Sequence, residues 1–273
     1  MKFQLLDTEK FKQTIPYPPR NYWDFPVVSL TFCESLSYSR PVWFHDCLFR
    51  DAGKKGLTLV SYKNGVSIQA ALADSSLKIQ KSMVYMDPEL PQAVKVHGSK
   101  TLRNYWVGRE YLEKIENNHF HDQSIRNGRN KGRKLFNISP LQATEWPLAV
   151  DVFNRWREDA AKRHFMVTVG HYLRWMNFAR SDKIAGTHML LVKCNEGGLA
   201  VGLSGYEVYG DYACIVLMKT APAHNSLPAY IWLHTIDYIL KNHPNVNKIF
   251  CGDTADGLKT RLELNHADYW RIL

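Results

Sequence analysis

The sequence predicts an α/β (α+β) protein whose second half is one mixed sheet with flanking helices. Three observations predict it. Two helical stretches follow one another within 143–179, three apolar strand-like segments joined by tight turns come next, and helix and strand signals then alternate to residue 273.

Composition sets the limits. A chain of 273 residues has room for one large or two modest domains, and 45% hydrophobic with 22% charged residues is ordinary for a globular core. No apolar run reaches the roughly 18 residues of a membrane span. The Met1-Lys2-Phe3-Gln4 start leads into polar residues and lacks a signal-peptide core, so a cytoplasmic location is expected. Cys33, Cys47, Cys194, Cys214 and Cys251 are an odd set without CxxC spacing, which reads as free thiols in a reducing compartment. His119-Phe120-His121 is the nearest approach to a metal motif, and nothing beside it completes a tetrahedron, so no metal is expected.

Residues 1–26 carry Pro16, Pro18, Pro19 and Pro26 among aromatics and read as an extended arm. A small N-terminal α+β domain is expected over 27–118. Strands are predicted at 27–32 and 57–62, the latter joined to a strand at 66–72 through the turn dipeptide Asn64-Gly65. A further strand is predicted over 79–85, and a helix over part of 101–115. A basic linker over 119–134 precedes the larger domain, 135–273.

That domain opens with the short strand Leu135-Phe136-Asn137-Ile138. Trp146, Val150, Phe153, Trp156 and Ala160 recur at helical spacing, so 143–162 is predicted as an amphipathic helix, with another over 171–179. Trp156 and Trp175 fall on the apolar faces and are assigned to the core. Strands at 189–194, 199–209 and 212–218 are separated by Glu196-Gly197-Gly198 and Gly210-Asp211, the pattern of an antiparallel meander. Ser226 and Pro228 open a helix reaching about residue 242. A strand at 248–251, a helix at 256–264 and a strand at 269–273 close the chain.

The formal charge of +9 favours anionic partners such as nucleic acid, anionic lipid or polyphosphate. It is concentrated in Arg126, Arg129, Lys131, Arg133 and Lys134, five cations in nine residues spaced by Gly and Asn with no acid among them. This run reads either as a phosphate-backbone contact, its glycines letting the chain follow a groove, or as a solvated linker. Tyr105, Trp106 and Phe120 are aromatics near it that could stack on bases or belong to the core. His224-Asn225-Ser226 falls at a predicted helix N-terminus, where amides and dipole favour an anion, and His224 has the pKa range of a general base; Ser226 as a plain cap is the alternative. Asp253 lies at the carboxyl end of a predicted strand, where it could deprotonate a nucleophile or cap the next helix. Lys259 and Arg261 could hold a phosphate or carboxylate, or be solubilising. Strand alternation sends one of Tyr206 and Glu207 towards the cleft; the structural reading puts Tyr206 in the core and Glu207 on the surface.

The element order of 126–273 resembles the GNAT acyltransferase superfamily, and within it the Fem-type aminoacyl transferases and the C-terminal domain of phosphatidylglycerol lysyltransferases. The basic lead-in, the Trp156-Arg157 helix ending and the Gly252-Asp253…Gly257-Leu258-Lys259 segment carry the likeness. Size and charge are also similar to phage Mom-type DNA modifiers. The resemblance implies a GNAT-like transferase domain over 135–273, with the N-terminal domain a degenerate first copy. It implies transfer of an acyl or aminoacyl group, with nucleic acid either as acceptor (DNA base modification) or as donor (aminoacyl-tRNA). Asp253, His224 and Tyr206 are the catalytic candidates, and His224, Asn225, Ser226 and Lys259 the cofactor-binding ones. The coenzyme A pyrophosphate loop would fall at Thr220-Ala221-Pro222-Ala223-His224-Asn225-Ser226-Leu227, which has no glycine to let backbone approach a pyrophosphate, so acetyl-CoA is not the expected donor. Two rival readings are a non-catalytic nucleic-acid-binding protein on this scaffold and a coenzyme A-dependent N-acetyltransferase of a protein or small amine.

Overall fold

The computed structural model describes residues 40–51, 56–62, 65–79, 82–85, 96–162, 170–180, 186–222, 224–254 and 257–272. The expected arm and the strand predicted at 27–32 lie outside them. The chain divides into two compact units, one made of 1–104, 253–255 and 266–273 and the other of 105–252 and 256–265.

In the first unit, β1 (Arg40–Phe44), β2 (Cys47–Asp51) and β3 (Leu57–Tyr62) form an antiparallel sheet in that order. The β1–β2 hairpin turns on His45 and Asp46, whose φ values of 51° and 55° match the two-residue turn that suits twisted strands. Helix α1 (Gly65–Ala73) stands where a strand was predicted. Its Gln-Ala-Ala-Leu-Ala stretch is made of strong helix formers, and Ile68 and Ala71, three apart, are both buried against Cys47, Phe49 and Leu59. Strand β4 (Ser82–Tyr85) pairs antiparallel with the later part of β11 (Asn265–Ile272), and β11 neighbours β5 (Val96–Gly108).

The end of β5 enters the second unit. The helix predicted within 101–115 is therefore strand up to Gly108, followed by the short α2 (Tyr111–Glu116). Tyr105 and Val107 are buried while Trp106 between them is partly exposed, which is a period of two. Here the sheet runs β5-β10-β9-β8-β7-β6. Strands β6 (Phe136–Pro140), β7 (Thr187–Cys194), β8 (Ala200–Tyr209) and β9 (Tyr212–Thr220) are antiparallel in sequence, the predicted meander, and β10 (Lys248–Thr254) lies parallel to β9. Helices α4 (Trp146–Lys162) and α5 (Gly170–Arg180) precede β7, α6 (Leu227–Asn242) links β9 to β10, and α7 (Gly257–Arg261) follows β10. Glycines of β8 admit helices on both faces. A Cβ at Gly205 would lie 2.2 Å from the indole of Trp175 on α5, and one at Gly202 would lie 3.1 Å from Ile231 on α6.

The segment read as a basic linker is helix α3 (Gln123–Leu135), capped by Asp122, whose carboxylate accepts from the amides of Ser124 and Ile125. Its glycines serve packing and not flexibility. A Cβ on Gly128 would lie 3.2 Å from Ala229, and one on Gly132 would lie 2.6 Å from Tyr230, so the pair, four residues apart, forms the flat stripe on which α6 rests. Among the described residues no helix is long and apolar enough to cross a membrane.

Candidate active site

Strands β9 and β10 pair only from Tyr212–Lys248 to Cys214–Phe250, although β9 continues to Thr220. Two local features accompany the parting. Opposite Gly205 and Tyr206 of β8 stand Leu217 and Ile215, so Val216 is an extra residue that bulges and twists β9. On the other side Gly252 turns β10 with φ of 74°. The Nζ of Lys259 donates to the carbonyls of Cys251 at 2.6 Å and Gly252 at 3.3 Å, taking up β10 backbone just past the last pair. Lys259 is buried, with the rings of Trp232 and Tyr105 5.1 Å and 5.6 Å from its ammonium. The expected phosphate or carboxylate holder is thus a clamp on carbonyls, and Tyr105 is core, its hydroxyl 3.2 Å from that of Thr260.

Across the opening, Lys219 projects from the unpaired end of β9. Its ammonium sits 4.0 Å from the ring centre of Trp156 on α4 and 4.1 Å from that of Tyr172 on α5. The two rings meet edge to face at 85°, with Phe153 behind both. Among the described residues no oxygen accepts a hydrogen bond from Lys219. Burial, and secondarily the charge of Lys259, push its pKa down to about 8. This is a cation held by two π faces with its N–H groups unspent on the described residues, an arrangement that can receive an oxyanion. Trp156 accordingly is half-buried beside the cation and not a core residue.

Deeper on the same face, Glu207 is buried and accepts from the indole N–H of Trp175 at 2.6 Å. The expectation that Glu207 lies on the surface fails because α5 brings an indole donor to it. Tyr206, next along β8, points to the opposite face. It is buried in the core as predicted, 3.1 Å from Nε2 of His243, with His188 stacked on it at 5.0 Å.

The other predicted residues separate. His224 precedes α6 and His243 follows it, so Tyr206 and His224 stand towards opposite ends of a 16-residue helix, roughly 24 Å apart along its axis, and share no reaction centre. The Nδ1 of His224 accepts from the backbone N–H of Ser226 at 3.1 Å and lies 2.8 Å from its hydroxyl. That bond puts the ring proton of neutral His224 on Nε2, with Nδ1 engaged at the start of α6. Asn225 is exposed at this helix start and Ser226 is buried. Asp253 is the penultimate residue of strand β10, and its side chain lies outside the described residues. Arg261 is exposed, 3.2 Å from the Ser124 hydroxyl.

Helix α3 sorts the basic run into two sets. Arg126 donates to the carbonyls of Phe120 and His121, and Arg129 is buried against the carbonyl of Glu116 at 3.4 Å. Lys131, Arg133 and Lys134 are exposed, and no acid among the described residues pairs with them. Phe120 is core, packed edge-on to Tyr111. Sequence reasoning passed over Lys219, Trp156 and Tyr172 as a set. The available signal was that Lys219 is the one charged residue in the nine of β9.

No family model matches the chain, and no curated protein matches it. Solved structures do. FemX superposes with a TM-score of 0.62 at 9% identity, covering 100% of this chain and 96% of that one. L-PGS from Bacillus licheniformis gives 0.61 at 11% identity, over 97% and 91% of the two chains. The C-terminal domain of a putative lysylphosphatidylglycerol synthetase from Agrobacterium fabrum gives 0.56 at 10% identity, over 85% and 83%. These likenesses establish the fold, which is the GNAT-type mixed sheet with flanking helices that the element order predicted.

Proposed function

We propose that this chain is a transferase that moves an aminoacyl group from aminoacyl-tRNA to an amine or hydroxyl acceptor. The observation that carries the reading is the Lys219 ammonium, held between Trp156 and Tyr172 on the part of β9 beyond its pairing with β10, with no oxygen among the described residues accepting from it. The end-to-end likeness to FemX and to proteins named for lysylphosphatidylglycerol synthesis supports it, and so does the glycine-free loop before α6.

In this reading the ester carbonyl of the aminoacyl end enters the opening. The acceptor attacks the carbonyl carbon, the oxygen becomes anionic, and Lys219 donates to it. The bond to the tRNA ribose oxygen then breaks, and that oxygen takes the proton lost by the acceptor. A preorganised cation in a site lined by rings stabilises the oxyanion far more than it would in water. The exposed cations Lys131, Arg133 and Lys134 of α3 contact the tRNA backbone. The other form of the reading, nucleic acid as acceptor in DNA base modification, uses the same helix and makes duplex DNA the better ligand.

The test is single-turnover discharge of tRNA carrying a radiolabelled amino acid, with the amino acids compared in parallel and hydroxylamine as a surrogate acceptor. Accelerated discharge by the wild-type chain, falling about 100-fold in Lys219→Met and declining as pH rises through about 8, is the expected result. Discharge no faster than in buffer for every amino acid, or an undiminished rate in Lys219→Met, would remove the proposal.

A further inference from the structure

A cavity lies away from Lys219 in the same unit. It occupies about 320 Å³ where β6 ends and β7 begins, two strands removed from β9. Pro140, Leu141, Trp146, Arg180, His188 and Tyr206 are among the residues that line it. None of the proposed transfer machinery reaches it, since Lys219, Trp156, Tyr172 and Lys259 are absent from its lining.

The chemistry of the wall selects an occupant. Among the described lining residues the one permanent charge is the guanidinium of Arg180, which lies 5.3 Å from the ring centre of Trp146 and has no carboxylate partner among the described residues. Stacking on an indole leaves the in-plane N–H fork of an arginine available, and that fork matches two oxygens of one carboxylate or phosphate. Among the described residues no aspartate or glutamate lines the cavity, so an ammonium on the same ligand would enter without a partner from them. Trp146, Leu141, Met189 and Leu190 supply flat and apolar surface for a ring, and the Tyr206–His188 stack, 5.0 Å between centres at 23°, is a rigid base beneath it. Tyr206 is in turn fixed by His243 at 3.1 Å. A volume of 320 Å³ is at the small end of ligand pockets and, at the packing density of a liquid, holds a molecule of about 10 to 15 heavy atoms.

The geometry points to a binding site for a small aromatic oxyanion without an amine, an aryl-alkyl carboxylate or aryl phosphate whose charged end meets Arg180. Binding there is separate from the transfer site. The ring lies against Trp146 and the strand residues, and discrimination comes from the Arg180 cation and the lack of an acid among the described lining residues.

Isothermal titration of the full chain with 3-phenylpropionate, phenyl phosphate, inorganic phosphate and L-phenylalanine tests this. L-Phenylalanine is 3-phenylpropionate with an amine added, so the pair isolates the missing acid. The expected result is a Kd below about 1 mM for 3-phenylpropionate or phenyl phosphate, whichever the site favours, with L-phenylalanine and inorganic phosphate at least about tenfold weaker. Arg180→Gln should weaken the aryl anion about tenfold or more, Arg180→Lys should retain part of the affinity, and Lys219→Met should leave it unchanged. Circular dichroism of each variant shows that it is folded. No heat from either aryl anion up to about 10 mM, equal binding of L-phenylalanine, an unaffected Arg180→Gln, or loss of binding in Lys219→Met would each overturn the assignment. The last result would also place the ligand in the transfer opening, while failure of tRNA discharge leaves this site untouched.

Discussion

The indole N–H of Trp175 reaches the carboxylate of Glu207 at 2.6 Å, and both side chains are buried between α5 and the sheet. A carboxylate in such a place depends on its donors, because removing one leaves charge or an acceptor that water cannot reach. Trp175→Phe keeps most of the ring volume and deletes the donor. It should lower stability in urea by about 2–4 kcal/mol, more than a comparable loss of apolar area would. In Glu207→Gln the Trp175→Phe change should cost clearly less, because the acceptor is then uncharged. A double-mutant cycle reads this coupling, and additive effects would mean the hydrogen bond contributes nothing.

Gly205 is the reason the indole fits. With a Cβ 2.2 Å from a ring that is itself fully buried, Gly205→Ala has nowhere to push. Overpacking of this kind costs about 1–3 kcal/mol, and it should shift the denaturation midpoint with little change in slope. Gly257, at the start of α7, meets nothing within 4 Å, so Gly257→Ala is the matched control and should change stability by less than about 1 kcal/mol.

The larger unit is legible in the sequence because its signals are local. The spacing of Trp146, Phe153 and Ala160 fixes a helix, and glycine-bearing turns mark the meander, so most elements from β6 to β11 stand where the residues predict. The sequence misleads where two periods abut. Tyr105 and Val107 alternate as in a strand, but Tyr111 and Ile115 follow at helical spacing, and one window blends them into a single helix. The site is harder to read because its parts converge through space. Lys219 at the end of an apolar strand looks like a chain end reaching for water, and only the approach of α4 and α5 turns it into a caged cation. The basic run misleads in the opposite way. Its five charges fall within nine residues, yet helical geometry turns Arg126 and Arg129 to carbonyls of the preceding segment and leaves three outside.

The half-buried Lys219 makes stability depend on pH in a defined sense. Its folded pKa of about 8 lies below the ordinary lysine value of 10.5. Below pH 8 both states hold the proton and the cost of burying the charge is fully present. Between pH 8 and 10.5 the unfolded chain binds more protons than the folded one, so stability gains as pH rises. Lys219→Met places a sulfur between the same two rings. It should be the more stable protein by about 1–3 kcal/mol at pH 7, with attraction of the rings for the cation offsetting part of the difference. That advantage should shrink steadily from pH 8 to 10.5. Thermal melts of both proteins across this range decide the matter, and a constant gap would mean the lysine is not titrating in the folded state.

The absence of glycine between β9 and α6 bears on coenzyme A. Where that cofactor's pyrophosphate would lie, His224 and Ser226 bond to one another, and the Ser226 amide is already spent on Nδ1. Acetyl-CoA should therefore leave the melting temperature unchanged at concentrations up to about 1 mM, whereas a ligand at 100 times its Kd would add about 2.7 kcal/mol. A clear rise would favour the N-acetyltransferase reading over aminoacyl transfer.

The division of the basic run leads to the sharpest test of the nucleic-acid partner. Changing Lys131, Arg133 and Lys134 together to serine removes three exposed charges from a helix whose packing face, Gly128 and Gly132, is untouched. Affinity for tRNA should fall, and the slope of log affinity against log salt should flatten by about 2 to 3, close to one for each phosphate that is no longer neutralised. Changing Arg126 and Arg129 instead should destabilise the protein, since their guanidiniums tie α3 to the preceding carbonyls, and should leave the salt slope near the wild-type value. Filter binding at five salt concentrations, with tRNA, duplex DNA and single-stranded DNA side by side, reads both effects at once. A preference for duplex DNA would move the reading from aminoacyl-tRNA donor to nucleic-acid acceptor. An unchanged slope in the triple variant would show that α3 faces something other than a phosphate backbone.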